Sequence, residues 1–451
     1  MNPCILGIDL GTSSVKILKK YKDGRIEKLK NTYKEPLPKG WWKAILELLE
    51  VIEWKEVAAI GLSSQVGTYL VNEKNVISWN EDVGKEELRW WKEKESKETF
   101  IKEISMPHPD IISYPLPRLK YIIEHFKDIQ YICQPKEYIL QHLTGKKVTD
   151  MFSWRGLTNL ETGKYSEYFL NKLGIKEEIL PPIRRMDEIA GYTKEIPLGK
   201  NKVPAGIPVY TGCNDYYAGL LGMGVGEVGQ MFDVTGTSEH IGVIQKETAL
   251  DTSLVSSPFV THKVHYGVTA SSGPSITYGL KFLKDTYLSG SKKNPQKEEA
   301  TSKDFSKWEK EKATSKDYHS TQEEIHMVLP APEQMQQTKP PIFLPYVMGE
   351  RAPIWNPEAR GVFFGIGEKC NSEEMAYAVM EGVVFSLYHI YETMENPKID
   401  KITVSGGASE IDYLNVLKAE VFGVPIEVVE ETDVSALGAC MTAAVGLGWY
   451  P

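Results

Sequence analysis

The sequence has few cysteines, no long apolar run and no excess of positive charge, and each shortage excludes a class of protein. The five cysteines are odd in number, widely scattered and without a Cys-x-x-Cys pair, so neither a disulfide framework nor a cysteine metal site is expected. No apolar stretch approaches the roughly 18–20 residues that span a bilayer. A formal net charge of −9 and a pI near 5.7 argue against a general nucleic-acid binder.

The length and composition are those of an ordinary globular chain. At 451 residues, with 41% hydrophobic and 25% charged, the chain is long enough for two domains of roughly 200 residues each. The first residues lead directly into a predicted strand rather than into a basic and apolar leader, so we expect a cytoplasmic protein. We predict domains at 1–224 and 225–451, the second carrying a charged, solvated excursion at 289–341.

One short turn occurs twice. Asp9-Leu10-Gly11-Thr12-Ser13 and Asp233-Val234-Thr235-Gly236-Thr237-Ser238 each lie between two apolar runs, which predicts a β-hairpin with Gly-Thr-Ser at its tip. Glycine allows close approach to a ligand, and the N–H and hydroxyl groups that follow it suit phosphate oxygens. Ordinary turns use the same residues, but two copies favour phosphate binding by both tips. Asp9 would then hold Mg²⁺ through water.

Strand and helix signals alternate in the first half and restart at the second hairpin. This alternation predicts α/β lobes in which helices cover mixed sheets. The predicted strands include 4–9, 15–19, 57–62, 264–269, 401–404 and 426–429, and the predicted helices include 41–52, 372–394, 411–422 and 434–445.

Two further segments carry candidate chemistry. Ser405-Gly406-Gly407-Ala408-Ser409 lies between a predicted strand and a predicted helix, and its small residues would let an adenine ring lie against the backbone. A plain loop with Ser409 as an N-cap explains the same residues equally well. Asp215 also lies between a strand and a helix, where it could accept the proton of a substrate hydroxyl, although an Asp in that position is more often an N-cap.

The C-terminal half resembles a known family. Gly361-Val362-Phe363-Phe364-Gly365-Ile366, followed after seven residues by 374–381, resembles the C-terminal signature of the FGGY carbohydrate kinases. Leu344-Pro345-Tyr346 and Gly349-Glu350-Arg351-Ala352-Pro353 resemble the strand and loop before that signature. The order of all these pieces agrees with the family over essentially the full chain, and the pattern is similar to that of its xylulokinase-like and gluconokinase-like members.

The resemblance implies a fold, two ligands and a set of site residues. The fold would be α/β, with two ribonuclease-H-like (actin-like ATPase) lobes and a cleft between them, and the ligands would be ATP with Mg²⁺ and a sugar. Asp215 would be the catalytic base and Asp9 the residue associated with magnesium. The implied nucleotide-binding residues are Thr12, Ser13, Gly236, Thr237, Gly273, Gly406, Gly407 and Ala408, and the implied sugar-binding residues are Gln65, Val66, Trp79, Asn80, Asp215 and Tyr216. Trp79 could equally be a core residue.

Two departures from the family pattern bear on the substrate, and a third makes the subgroup less certain. Xylulokinase-like members read Gln-Met-His-Gly where this chain has 65–68, and Asp-Asn where it has Asp215-Tyr216. Pro117-Arg118-Leu119 replaces the more usual Pro-Lys-Leu. Sites that pair sugar hydroxyls discriminate strongly, so we expect a small ketose, polyol or sugar acid other than xylulose. A sugar-independent actin-like ATPase and a non-catalytic sugar or nucleotide sensor are the alternatives, and a homodimer is left open.

Overall fold

The computed structural model describes residues 2–33, 37–106, 111–199, 201–236, 238–247, 253–259, 262–277, 329, 331–395 and 397–450. They divide into two compact units: unit 1 contains Met1–Gly226, Ser256–Thr261 and Asp433–Pro451, and unit 2 contains Glu227–Val255 and His262–Thr432. A single cut between residues 224 and 225 does not describe these units, because the C-terminal segment packs with the N-terminal half. Most of the predicted excursion at 289–341 lies outside the described residues.

Unit 1 is a mixed α/β unit. Its strands are β1 (Cys4–Leu10), β2 (Ser14–Tyr21), β3 (Ile26–Thr32), β4 (Val57–Ser64), β5 (Tyr69–Val71), β6 (Asn75–Ile77), β7 (Ile132–Cys133), β8 (Thr158–Asn159), β9 (Lys164–Tyr165), β10 (Ile189–Tyr192), β11 (Ile196–Leu198), β12 (Asn201–Val203), β13 (Pro208–Tyr210) and β14 (Cys213–Asn214). Its helices are α1 (Pro38–Leu49), α2 (Lys85–Lys94), α3 (Lys97–Ile104), α4 (Pro115–His125), α5 (Pro135–Thr144), α6 (Glu167–Leu173), α7 (Asp215–Gly222) and the C-terminal α11 (Val434–Gly446).

The second half of the chain also contains both strands and helices. The strands are β15 (Met231–Thr235), β16 (Glu239–Gln245), β17 (Val255–Phe259), β18 (His262–Thr269), β19 (Ile342–Leu344), β20 (Val362–Phe364), β21 (Ile402–Gly406) and β22 (Ile426–Val428). The helices are α8 (Pro332–Gln336), α9 (Ser372–Thr393) and α10 (Asp412–Phe422), and residues 272–277 are also helical. Both predicted hairpins are present as β1–β2 and β15–β16.

The main sheet of unit 1 has the strand order β10-β13-β4-β1-β2-β3, and β14 also pairs with β4. β1 is antiparallel to β2 and parallel to β4. Every residue of β1 is buried, as expected for a strand covered on both faces. One face packs on α1 through Trp41, Ile45 and Leu49. Pro38 occupies the first turn of α1, where its fixed φ favours helix initiation.

The other face of the sheet packs against α11 at very short range. A Cβ on Gly61 of β4 would lie 1.8 Å from the carbonyl oxygen of Ala439, and one on Gly438 of α11 would lie 1.7 Å from the carbonyl oxygen of Ala218 in α7. Only glycine permits such backbone approach. α11 is therefore packed against both β4, which pairs with the strand leading to Asp215, and α7, which carries Asp215.

Unit 2 repeats the central part of this plan. Its main sheet contains the order β18-β16-β15-β21-β22, with β15 antiparallel to β16 and parallel to β21. α9 begins with a capping box, in which Asn371 accepts from the Glu374 N–H and Glu374 accepts from the Asn371 N–H. Its buried side chains, including Tyr377, Val383 and Leu387, join the core of this unit.

Two expectations from the sequence concern the pairing of the cysteines and segments that could span a membrane. All five cysteines are free, and Cys370 alone among them is not fully buried. No helix among the described residues is long and apolar enough to cross a membrane.

Candidate functional site

Three neighbouring parallel strands of unit 1 end at the same edge of the sheet. β1 pairs with β4 so that Asp9 lies opposite Ser63, and β14 pairs with β4 so that Cys213 lies opposite the same Ser63. The residues that follow these strands are therefore neighbours, which brings the first hairpin tip, Gln65 and Asp215 together. Ligands of open α/β sheets bind beyond the carboxyl ends of the strands.

The tip of the first hairpin is held by hydrogen bonds on both sides. The Gly11 N–H donates to the Ser14 carbonyl at 2.9 Å, and the Tyr33 hydroxyl donates to the Gly11 carbonyl. The Thr12 hydroxyl donates to Oε1 of the buried Gln65 at 3.1 Å. Ser13 is exposed at the end of the tip. The structure thus joins a predicted phosphate-binding residue to a predicted sugar-binding residue.

Asp9 is a buried carboxylate whose negative charge is not paired directly with a cation among the described residues. Its side chain is 7% exposed, and the Ser63 hydroxyl donates to its Oδ1 at 2.9 Å. Burial raises the pKa of Asp9, the positive charge of Lys16 and the Ser63 hydrogen bond lower it, and the charge of Asp433 raises it further. Lys16 does not neutralise Asp9 directly, since its ammonium is paired with Asp433 at 2.7 Å.

Asp215 opens α7 but does not cap it. The N-cap is Asn214, whose Oδ1 accepts from the Tyr217 N–H at 3.0 Å and whose Nδ2 donates to the Phe152 carbonyl at 3.0 Å. The N-cap interpretation of Asp215 is therefore wrong, because its neighbour already performs that task. Burial raises the pKa of the Asp215 carboxyl to about 7, and the negative charge of Asp9 adds to the increase.

The predicted sugar segments lie beside this edge. The Gly67 N–H donates to Gln134 Oε1 at 2.8 Å, which fixes the backbone after the half-buried Val66. The Trp79 N–H donates to the Thr68 hydroxyl at 3.2 Å, so the segment containing Trp79 and Asn80 lies against the segment that starts at Gln65.

Trp79 itself is 38% exposed, and Asn80 is also exposed. The core interpretation of Trp79 is therefore wrong. The loop around it is held through its backbone.

Two arginines of this region were not predicted as site residues. Arg155 donates to the Tyr114 hydroxyl at 2.5 Å and to the Tyr217 hydroxyl at 3.5 Å, which links α4 to the start of α7. Arg118 is fully buried and bonds the backbone of residues 78–81. A departure from the family pattern at Arg118 was visible in the sequence, but the loop that it contacts was not.

In unit 2 the second hairpin tip meets the glycine-rich turn. β15 and β21 are parallel with Thr235 opposite Gly406, and the Ser409 N–H donates to the Thr235 hydroxyl at 3.1 Å. Gly406 has a φ of +100°, and a Cβ there would lie 2.0 Å from the Thr235 carbonyl oxygen. Gly407 is half-buried and Ala408 is buried.

Ser409 is not a helix N-cap. α10 begins at Asp412, after a short 3-10 turn over Gly407–Glu410, and the Ser409 hydroxyl donates to the Gly406 carbonyl at 2.7 Å. The serine therefore stabilises the turn itself. Gly236 is half-buried at the hairpin tip, whereas Thr237 lies outside the described residues.

Gly273 lies in the helical segment 272–277 and is buried. The Thr277 hydroxyl donates to its carbonyl at 2.9 Å. The neighbouring Ser272 is 2% exposed, and its hydroxyl is hydrogen-bonded to that of Thr269 at 2.6 Å. This hydroxyl is thus already engaged within unit 2.

The second aspartate of the repeat has a buried cation beside it. The Lys418 ammonium contacts Asp233 Oδ2 at 2.5 Å and Glu239 Oε1 at 2.8 Å, and all three side chains are at most 2% exposed. Burial and the charge of Glu239 raise the pKa of Asp233. Burial would lower the pKa of Lys418, but its two carboxylate partners raise it.

Comparisons with known proteins agree with these features. Residues 4–222 match the N-terminal domain of the FGGY family of carbohydrate kinases, and residues 232–447 match its C-terminal domain. The chain is 25% identical to the xylulose kinase of Lactococcus lactis subsp. lactis (strain IL1403), over 99% of this chain and 88% of that protein. It is also 25% identical to the glycerol kinase of Aquifex aeolicus (strain VF5), over 99% of this chain and 90% of that protein.

A solved structure shares the fold. The gluconate kinase from Lactobacillus acidophilus superimposes with a TM-score of 0.78 at 25% identity, covering 100% of this chain and 90% of that one. The predicted α/β architecture of the actin-like kinases is thereby confirmed. The chain belongs to the FGGY family of carbohydrate kinases, a family of ATP-dependent sugar phosphotransferases.

Proposed function

We propose that this kinase transfers the γ-phosphoryl group of ATP to a hydroxyl of a small sugar, with Asp215 as the general base. The observation that carries the proposal is the convergence of Asp9, Gln65 and Asp215 at the carboxyl ends of three adjacent parallel strands. The known relatives act on xylulose and glycerol by name, so the acceptor class is a small polyhydroxy compound.

The environment of Asp215 suits a base. With a pKa of about 7, a substantial fraction of its carboxyl is ionised at neutral pH, while its basicity is much greater than that of an ordinary carboxylate. In this proposal Asp215 accepts the proton of the attacking hydroxyl as the oxygen bonds to phosphorus. Phosphoryl transfer otherwise depends on positioning and on stabilising the charge of the phosphate oxygens.

Asp9 fits the task of holding Mg²⁺. Its buried carboxylate has a hydroxyl as its hydrogen-bond donor and no cation in direct contact among the described residues. Mg²⁺ retains several waters and takes few protein ligands, so one such carboxylate is a suitable anchor. When bound, the ion would neutralise negative charge on the phosphates.

The nucleotide contacts follow from the two hairpins and the glycine-rich turn. The N–H groups of Thr12 and Ser13 and the Ser13 hydroxyl are offered as donors to phosphate oxygens, and Gly236 and Thr237 of the second tip are also assigned to the phosphates. We assign the adenosine to the turn at Gly406–Ala408, where the glycine backbone and small side chains leave room for a flat ring, and a supporting N–H contact to Gly273.

The sugar would contact Gln65, Val66, Trp79, Asn80 and Tyr216. Gly67 lacks the imidazole of the histidine found in xylulokinase-like members, and Tyr216 replaces their asparagine. Because a site rejects substrates whose hydroxyls it cannot pair, we propose a preferred substrate other than xylulose.

The test is ADP release by the purified protein with Mg-ATP and a panel of pentuloses, heptuloses, polyols and sugar acids, each against a no-sugar control. Strong stimulation by one compound is expected. Asp215→Asn should abolish that stimulation, whereas Asp23→Asn, a matched change in the exposed β2–β3 turn, should not.

Three results would contradict the proposal. Hydrolysis of ATP at the same rate with and without sugar would favour an actin-like ATPase. Nucleotide or sugar binding without turnover would favour a sensor. Full sugar-stimulated turnover in Asp215→Asn would remove Asp215 as the base.

A further inference from the structure

Arg118 is a buried cation with an unusual set of partners. It lies in α4, its side chain is 0% exposed, and its Nη2 donates to the carbonyl oxygens of Ser78, Trp79 and Glu81 at 3.2, 3.3 and 2.9 Å. One nitrogen atom thus gathers three carbonyl groups of a single four-residue loop, 78–81.

The loop is closed from within as well. The Glu81 N–H donates to the Ser78 carbonyl at 3.1 Å, and Glu81 Oε1 accepts from the Ser78 N–H at 2.7 Å. These bonds form a tight turn, but they do not attach the turn to the rest of unit 1. Arg118 supplies that attachment from α4, while the Thr68 hydroxyl bonds the Trp79 N–H from the neighbouring segment.

The arrangement is costly for the fold. Nε and Nη1 of Arg118 are buried without a hydrogen-bond partner among the described residues, and burial lowers the pKa of its guanidinium. An incompletely bonded buried cation is a poor way to gain stability. What the cation does achieve is a fixed position for a loop whose Trp79 and Asn80 side chains remain exposed.

We propose that Arg118 is a positioning residue that sets the affinity for the sugar by fixing the loop 78–81. The inference rests on the proposed function, because it requires that Trp79 and Asn80 contact the sugar. Arg118 touches neither the sugar nor the phosphates. Its effect reaches the substrate through the backbone of the loop.

The contacts of Nη2 also predict which side chain can replace Arg118. Since Nη2 alone makes the three contacts, an ammonium group with three N–H donors can serve the same carbonyls. Arg118→Lys should therefore retain the function. Met, which has similar bulk and no charge, should not.

The experiment compares wild type, Arg118→Met, Arg118→Lys and Arg89→Met, the last being a matched change at an exposed arginine of α2. Arg118→Met should raise the KM for the sugar by about 10-fold or more with the KM for ATP unchanged, since loss of loop positioning weakens sugar binding. Arg118→Lys should stay within about 3-fold of wild type, and Arg89→Met should match wild type.

Hydrogen exchange provides a second readout that does not need turnover. The backbone amides of 78–81 should exchange faster in Arg118→Met than in wild type or Arg89→Met, while those of β1 and β4 should keep their protection. This pattern separates release of the loop from general unfolding of unit 1.

Three results would overturn this inference but not the proposed function. They are an unchanged sugar KM in Arg118→Met, an equal rise in the KM values for sugar and ATP, and unchanged hydrogen exchange at 78–81. A wild-type protein with no sugar-stimulated turnover would instead overturn the proposed function, and with it the link from the loop to sugar affinity.

Discussion

The hairpins β1–β2 and β15–β16 share a backbone plan and differ in the charges around their aspartates. In each, an antiparallel pair carries a Gly-Thr-Ser tip, and a parallel strand, β4 or β21, lies beside the first strand. Asp9 receives a hydrogen bond from a serine hydroxyl. Asp233, at the corresponding place, is bonded to a fully buried lysine that also contacts Glu239.

A repeated backbone therefore does not carry the same chemistry in the two units. The Asp233 carboxylate is engaged by Lys418 within the core of unit 2. Asp9 lacks such a partner among the described residues, and a second carboxylate, Asp215, lies close enough to respond to its charge. In the proposed function the first hairpin therefore keeps a carboxylate for a metal ion, whereas the carboxylate of the second is paired with Lys418.

The largest expected effect is on stability and comes from Lys418. Lys418→Met would leave two buried carboxylates without their cation, which typically costs about 3–5 kcal/mol of unfolding free energy. Denaturant unfolding measures this loss. Combining Lys418→Met with Asp233→Asn and Glu239→Gln should recover most of it, and a loss below about 1 kcal/mol for the single variant would show that the triad is not a structural unit.

The next largest effect is a difference in kcat between variants of Asp9 and Asp233. Asp9→Asn should lower kcat by about 10²–10³-fold, because the charge that organises the phosphates is lost. Asp233→Asn should change kcat by less than about 3-fold, since Lys418 keeps Glu239 as a partner. Steady-state kinetics with saturating sugar and Mg-ATP measures both. Equal losses in the two variants would remove the proposed distinction between the hairpins.

A smaller effect concerns Asp215 and pH. The unfolded chain loses this proton near the ordinary Asp pKa of 3.8, whereas the folded protein keeps it up to about pH 7. The folded state therefore binds more protons across this interval, and its stability falls as pH rises. Asp215→Asn lacks that fall, so its unfolding free energy relative to wild type should rise by roughly 3 kcal/mol between pH 4.5 and 7.5, which raises its relative Tm by several °C. A Tm difference independent of pH would contradict the raised pKa.

The smallest effect is expected at Lys16. Its ion pair with Asp433 is partly exposed, with side-chain exposures of 31% and 20%. Partly exposed pairs contribute about 0–1 kcal/mol, so Lys16→Met should unfold at nearly the wild-type denaturant concentration. A loss as large as that of Lys418→Met would mean that the first hairpin also depends on a cation.

Local patterns in the sequence predicted most of the elements near the site. Both hairpins, the strand β4 and the helices α9 and α10 lie within a few residues of their predicted bounds. Apolar periodicity and turn residues are local signals, and these elements carry them strongly. The repeated turn singled out Asp9, and the junction between a strand and a helix made Asp215 a candidate. The resemblance to the family then favoured the catalytic role of Asp215 over the N-cap role.

Features that depend on distant contacts were not predictable. Lys418 meets Asp233 across 185 positions of sequence, and nothing around residue 418 marks it as a buried cation. The N-cap of α7 is Asn214 rather than Asp215, because the exact start of a helix depends on where β14 ends. The packing of α11 with the N-terminal half follows from glycines at Gly61 and Gly438, whose role is visible only when the two backbones meet.

The most direct test of the difference between the hairpins is binding of Mn²⁺, as a paramagnetic substitute for Mg²⁺, in the presence of ADP, followed by water-proton relaxation. Wild type, Asp9→Asn and Asp233→Asn would be compared at equal nucleotide saturation. The account predicts that Asp9→Asn weakens metal binding by about 10–100-fold while Asp233→Asn binds as wild type does. Wild-type metal binding in Asp9→Asn, or a loss confined to Asp233→Asn, would contradict it.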